Sequence, residues 1–256
     1  PPSEVQKTTK FGQKLPKNIA KSRITHSFQG KKYIFFTEFR RHVGGKGVDS
    51  MVITKEVCFL SDALTWLTKS LPPAARHAGL AVAKLGNERT FERGGFKISS
   101  PAFEPGEELD PCFTADEEDA VAPPLEWSTP PSGAMELAII VEDATSDGPE
   151  PRCHWLVWGL APQKGKLLEG EMPPRTGKNS LGNSDWLLPD LPHQQTHHFV
   201  FQLFALELPL TLMPGASRED LFAAMEGQVV ASSVLVAQYT RSEEDEEDWD
   251  DDDIGL

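Results

Sequence analysis

The sequence predicts a mainly β chain. An antiparallel β-sandwich with flanking helices is expected over about residues 96–241, after a small α+β unit over 1–90 and before an acidic tail over 242–256. Three observations carry this expectation. From residue 96 onward, short apolar segments are broken by Pro- and Gly-containing turns, the rhythm of an antiparallel sandwich. A single stretch, from Ser217 to Gly227, has helix signals instead. Charge also divides the chain: residues 1–95 hold 17 Lys/Arg against 7 Asp/Glu, and residues 96–256 hold 8 against 32, as expected of two units with different partners.

Composition narrows the class. With 256 residues, 39% of them hydrophobic, the chain can support one large core or two smaller ones. No apolar run approaches the roughly 20 residues that cross a bilayer, and the first 22 residues contain no hydrophobic signal region. The start at a residue other than Met suggests a trimmed chain, compatible with an organelle (mitochondrial) destination or a cytoplasmic one. Cys58, Cys112 and Cys153 form no CxxC pair, which argues against a disulfide framework and a zinc site and makes a reducing compartment the default. No cofactor motif is present.

In the N-terminal unit, Lys32–Phe39 alternates aromatic and polar residues and reads as a strand. "VGGKGVDS" is a turn, "MVITKEV" (51–57) a second strand, and Ser61 caps an amphipathic helix that carries Ala63, Leu64, Trp66 and Leu67. Basic residues Lys31, Lys32, Arg40, Arg41 and Lys46 beside Tyr33 and Phe35 are the ingredients of a single-strand nucleic-acid platform, in which cations meet phosphates and rings meet bases. The plainer reading keeps the rings as core and the cations as a solvated face. Residues 72–95 are expected to be a short helix and a linker.

In the C-terminal unit, "FKISSPAF", "PPLEWS", "MELAIIVED", "CHWLVWGL" and "HHFVFQLFALEL" are the strand candidates. Ser217 and Asp220 form a capping-box-like pair ahead of Leu221, Phe222 and Met225, and Gly227 ends that helix before "VVASSVLVAQYTR" resumes as a strand or second helix. The strip "EEDEEDWDDDD" (243–253) places ten carboxylates in eleven residues, and their mutual repulsion predicts disorder in isolation.

One juxtaposition concerns function. Asp143 closes an apolar strand, and His154 opens the next after a loop rich in Gly, Pro, Ser and Asp, so a carboxylate and an imidazole meet near one sheet edge. Around them the residues resemble the phosphatidylethanolamine-binding protein (PEBP) family, in particular its bacterial, Raf-kinase-inhibitor-like branch. The pieces that carry the resemblance follow in order: Ser100-Pro101-Ala102-Phe103, Pro123-Pro124-Leu125 with Trp127-Ser128, Val141-Glu142-Asp143, His154-Trp155, Gly177 with Asn179, His197-His198-Phe199, and Tyr239.

The resemblance implies a PEBP-like two-sheet β-sandwich with a small anion pocket at one end. Asp143, His154 and His197 would form that pocket, with backbone from Gly177 to Gly182 as a wall and Phe199 where the family often has Tyr. Imidazole and amide donors suit phosphoryl oxygens, and a carboxylate can fix a histidine tautomer. The rim departs from the family pattern. Its Asp-Pro-Asp-Ala-Pro loop reads "DATSD" (143–147), Phe199 lacks the hydroxyl, and "LLPDLPHQQTHH" lacks the usual glycines.

An enzyme is not expected. Ser128, Ser180 or Thr145 near His197 lacks a GxSxG elbow, no phosphate loop occurs, and His193, His197, His198 and Asp143 lack metal-site spacing. The altered rim and the charged appendages favour a non-catalytic interaction or structural subunit with protein partners in a larger assembly. The resemblance extends to family members recruited into ribonucleoproteins such as mitochondrial ribosomes, with RNA meeting the basic N-terminal unit. The alternative is a regulatory protein that binds a phospholipid headgroup or phosphate.

Overall fold

A computed structural model describes residues 19–28, 31–40, 65–146 and 148–241. The chain divides into two compact units, 1–63 and 64–256. In the first, β1 (Ile19–Phe28) and β2 (Lys31–Arg40) pair antiparallel, with Ile19 opposite Arg40 and Phe28 opposite Lys31. The strand expected over Lys32–Phe39 is therefore present, but its partner is β1, which the sequence reading had not marked as a strand. Lys31, Lys32, Tyr33, Phe35 and Arg40 all lie on β2. Arg41, Lys46, the strand expected over 51–57, the helix start at Ser61 and the acidic tail from 242 lie outside the described residues.

The second unit holds two antiparallel sheets. The smaller comprises β3 (Ile98–Ser99), β4 (Leu125–Trp127) and β7 (Gly165–Leu167), in the order β3-β4-β7. The larger comprises β5 (Glu136–Asp143), β6 (Arg152–Leu160), β8 (Arg175–Thr176), β9 (Thr196–Leu206) and β10 (Val229–Thr240), in the order β10-β9-β5-β6-β8. The mainly β class and the sandwich hold, and "VVASSVLVAQYTR" resolves as a strand.

All eight residues of β5 are buried, because both faces of the large sheet are covered. On one face Leu137, Ile139 and Val141 join Phe199, Phe201 and the small sheet's Ile98, Leu125 and Trp127. On the other, Ala138, Ile140, Leu156 and Phe204 pack against Leu67, Leu71, Leu80 and Val82. Leu80 and Val82 are fully buried, and each such side chain contributes about 1.5–3 kcal/mol.

This packing moves the domain boundary. The unit expected over 1–90 gives way to a division after residue 63, while the short helix expected within 72–95 is present at Ala81–Leu85. Residues 65–85 form a cover on the sheet, built from 3-10 turns at Thr65–Leu67 and Pro73–Ala75 and the helix α1 (Ala81–Leu85). This stretch, expected to include a linker, packs as core because the sheet face supplies the other half of its apolar contacts.

Helix α2 (Arg218–Met225) covers the same face through Leu221 and Met225. Its capping box is present: the Ser217 hydroxyl accepts from Asp220 N–H, and the Asp220 carboxylate accepts from Ser217 N–H. Gly227, at φ +74°, makes the turn into β10.

Candidate functional site

Three strand ends define the site. Antiparallel pairing sets Asp143, at the end of β5, opposite Arg152 at the start of β6 and Phe199 near the start of β9. His197 precedes Phe199 by two residues on β9 and faces Tyr239 across β10. Residues distant in sequence thereby reach one end of the large sheet's strands.

His154 is placed by an irregularity in the ladder. Val141 pairs with Trp155 and Glu142 with Cys153, so His154 is the extra residue of a β-bulge. A bulge re-aims a side chain that regular alternation would have left in the core. Leu187 clamps the residue twice: Leu187 N–H donates to the His154 carbonyl at 2.9 Å, and His154 Nδ1–H donates to the Leu187 carbonyl at 2.6 Å. The ring stands edge-on to Phe199, with 5.0 Å between centroids, and 5.9 Å from Trp186. Burial pushes its pKa down to about 4, against the Leu187 hydrogen bond and the Asp143 charge, which favour the imidazolium. Nε2 is buried and has no partner among the described residues.

Asp143 Oδ2 accepts from His197 Nδ1–H at 2.6 Å, and Oδ1 accepts from Thr145 N–H at 2.8 Å. Thr145 and Ser146, which stand where the family loop has its second Asp and its Ala, organise the loop by hydroxyl bonds. Thr145 Oγ1 accepts from His198 N–H at 3.0 Å, and Ser146 Oγ donates to the Asp143 carbonyl while accepting from Arg152 N–H. Thr145 and Ser146 thus tie the altered loop to β9 and β6.

The wall from 177 to 183 is held by Asn179, whose buried Oδ1 accepts from Leu181 and Asn183 N–H. Ser180 ties the wall to β6: Ser180 N–H donates to the Cys153 carbonyl, and Cys153 N–H donates to Ser180 Oγ. A cavity of about 830 Å³ lies between this wall and the strand ends, lined by Asp143, His154 and His197 together with Arg152, Lys178 and Gly182.

Two residues of the expected pocket stand back from the lining. Gly177 is buried where a Cβ would lie 2.7 Å from the Ala216 carbonyl, so it serves close packing. Phe199 is fully buried and supports the His154 ring from behind. Ser128 sits away from the cavity, accepting from Lys97 N–H and donating to the Gly95 carbonyl.

Sequence reasoning missed a buried polar cluster behind the site. Glu142 is fully buried; Oε1 accepts from Arg218 Nε–H at 2.7 Å, and Oε2 accepts from Ala81 N–H at 2.8 Å and from the Gln202 amide at 2.7 Å. Gln202 Oε1 accepts from Val82 N–H at 2.7 Å, so the two side chains satisfy the free amides at the start of α1. Burial pushes the Glu142 carboxyl above its ordinary range, and the Arg218 guanidinium opposes that shift. Arg218 also donates to the Gly79 carbonyl at 2.6 Å, stacks on Phe222 at 4.1 Å and lines the cavity. The signal available in sequence was a Glu inside an apolar strand.

The phosphatidylethanolamine-binding protein family model matches residues 99–240. A UPF0098 protein of Methanothermobacter thermautotrophicus is 33% identical over 152 residues, covering 56% of this chain and 98% of that protein. One from Aquifex aeolicus is 31% identical over 166 residues, covering 60% and 95%. Among solved structures, the PEBP homolog CT736 from Chlamydia trachomatis matches with a TM-score of 0.54 and 28% identity, over 57% of this chain and 98% of that one. Escherichia coli YbcL, described as a member of the mammalian PEBP family, shares the fold at 19% identity, with a TM-score of 0.52 and the same coverage. On the family match, the relatives and the two-sheet fold together, this chain belongs to the phosphatidylethanolamine-binding protein family.

Proposed function

We propose that the protein binds a small phosphorylated anion in the cavity at Asp143, His154 and His197, without turning it over. The observation that carries this reading is the convergence of two imidazoles from separate strands on one cavity that Arg152 and Lys178 also line. Donors of these types suit phosphoryl oxygens. The cavity serines support binding without chemistry, because Ser146, Ser180 and Ser217 each hold a turn or a cap. Calorimetric titration with methyl phosphate and phosphoethanolamine tests the reading. Saturable binding that His197→Ala weakens at least tenfold is the expected result; no heat with either compound at millimolar concentration overturns it.

A second reading rests on charge: residues 1–63 hold 12 Lys/Arg against 5 Asp/Glu, and residues 243–253 hold ten carboxylates. We propose that these appendages recruit the protein into a larger assembly, a ribonucleoprotein if the basic unit takes RNA. Lys31, Lys32 and Arg40 on β2, with Arg41 and Lys46 beyond it, would neutralise phosphates beside Tyr33 and Phe35. Salt-sensitive RNA retention by the full chain, lost on Lys31→Glu/Lys32→Glu, is expected. Elution of the native protein alone and free of RNA at low salt removes this reading.

A further inference from the structure

A second cavity, of about 380 Å³, shares no lining residue with the first. Three segments line it, 120–122, the turn at 170–173 and 184–188, together with Trp155 of β6 and Thr176 of β8. Hydrogen bonds hold these walls in place. Gly170 N–H donates to the Ala122 carbonyl at 3.0 Å, and Trp186 Nε1–H donates to the Phe113 carbonyl at 3.1 Å. Leu168 N–H donates to the Glu171 carboxylate at 2.7 Å, and Glu171 N–H donates back to the Leu168 carbonyl at 3.0 Å. The groove is thus organised without an occupant, which lowers the ordering cost of binding.

The rim of this groove is apolar and exposed. Met172, which lines it, is 89% exposed, Leu168 on the same turn is 54% exposed, and Val121, Trp186 and Leu188 are half-buried. Met and Trp are the residue types that protein interfaces favour, the one for its adaptable thioether and the other for its large rigid area. The charge around them has one sign. Glu171 and Asp185 line the groove with no cation beside them in the lining. Segments 110–122, 168–173 and 184–191 together carry nine Asp or Glu and no Lys, Arg or His. Two of the nine, Asp116 and Asp190, are paired with Arg241, while Glu117, Glu118 and Asp119 stand exposed directly before the wall at 120–122.

We propose that this groove docks a segment of a partner protein that carries Lys or Arg on either side of a large apolar side chain. The apolar side chain enters between Met172 and Trp186, and the cations meet Glu171 and Asp185. Glu171 Oε2 accepts from Leu168 N–H and Asp185 Oδ1 from the Asn179 amide, neutral donors that leave the carboxylate charge in place. The same charges repel nucleic acid and acidic proteins, so the surface selects its partner by sign as well as by shape. The docking surface belongs to the sandwich and depends neither on the anion cavity nor on the charged appendages.

The test titrates the full chain, isotope-labelled at its methionine methyls, with three short synthetic peptides and follows the methyl signals by NMR. The first peptide has Lys and Ser around a central Leu-Leu pair, the second has Glu in place of Lys, and the third has Ser in place of Leu. The ten carboxylates of the tail attract any polycation. The Met172 signal is therefore the readout, with Met135, exposed ahead of β5, as the reference. The first peptide should shift Met172 saturably and leave Met135 in place. It should bind about fivefold or more tightly than the third, the second should leave Met172 unmoved, and added salt should weaken binding because exposed charges are screened.

Glu171→Gln combined with Asp185→Asn removes two charges and keeps the acceptors that Leu168 and Asn179 use. This double variant should bind the first peptide about fivefold or more weakly; if it does not fold, the wild-type series still decides. A Met172 signal that stays in place while the peptide binds assigns the affinity to the tail and overturns the proposal. Equal binding by the double variant, or by the Glu peptide, overturns it as well. A concentration-dependent shift of Met172 without peptide, matched by dimer formation in sedimentation, gives the groove to a second copy of the chain instead and also overturns it.

Discussion

His197 Nδ1 lies 2.6 Å from Asp143 Oδ2, a hydrogen bond that closes across 54 residues of sequence at one end of the central strands of the large sheet. Asp143 is 2% exposed, so its oxygens must be satisfied within the protein, and Thr145 N–H takes the other one. Asp143→Ala leaves the His197 and Thr145 donors without their acceptor. A loss of about 1–3 kcal/mol is expected in urea unfolding. Combined with His197→Ala, the double-mutant cycle should show a coupling of about 0.5–3 kcal/mol. Strict additivity would mean that the pair contributes nothing.

His154 gives stability a defined pH dependence. Its folded pKa is about 4 against an ordinary 6.5. Between those values the unfolded chain binds the proton and the folded chain does not. Its contribution is therefore complete above pH 6.5 and is lost as pH falls toward 4, by up to about 3 kcal/mol. Other groups also titrate there, so the measurement is a difference. The stability gap between wild type and His154→Gln should shrink between pH 7.5 and pH 4.5, and a constant gap would show that the ring is not held neutral.

Glu142 and Arg218 behave as a buried pair. Glu142→Ala removes the acceptor of Arg218 Nε–H and of the Ala81 and Gln202 donors and leaves the guanidinium only the Gly79 carbonyl and the exposed Glu150, for an expected loss of about 3–5 kcal/mol. Replacing both partners by Met should cost less than that single change, because no charge is then left alone. Guanidinium unfolding of the two variants provides the comparison. A double variant less stable than Glu142→Ala would place the value of the pair in the attraction itself.

Gly177 and Gly182 should respond to Ala for different reasons. At Gly177 the new Cβ meets the Ala216 carbonyl at 2.7 Å and Leu156 and Trp158 at 3.0 Å, so overpacking of about 1–3 kcal/mol is expected. At Gly182 nothing lies within 4 Å, and the cost is that of φ +86°, about 1–2 kcal/mol. Crystal structures of the two variants should show a displaced Ala216 segment only for Gly177→Ala.

Features that depend on neighbours along the chain are legible in its residues. Apolar runs between turns mark β5, β6 and β9, and Ser217 with Asp220 marks the start of α2, because strand alternation and capping are local chemistry. The order of family residues likewise points Asp143, His154 and His197 to one site, and all three line one cavity. The other features arise when distant segments pack. The bulge that turns His154 toward the cavity exists only in the register between β5 and β6. The cover over 65–85 becomes core only against the far face of the sheet, and Glu142 finds its partners 60 to 76 residues away. Register and burial of a polar group are properties of packed segments, and no window of neighbouring residues contains them.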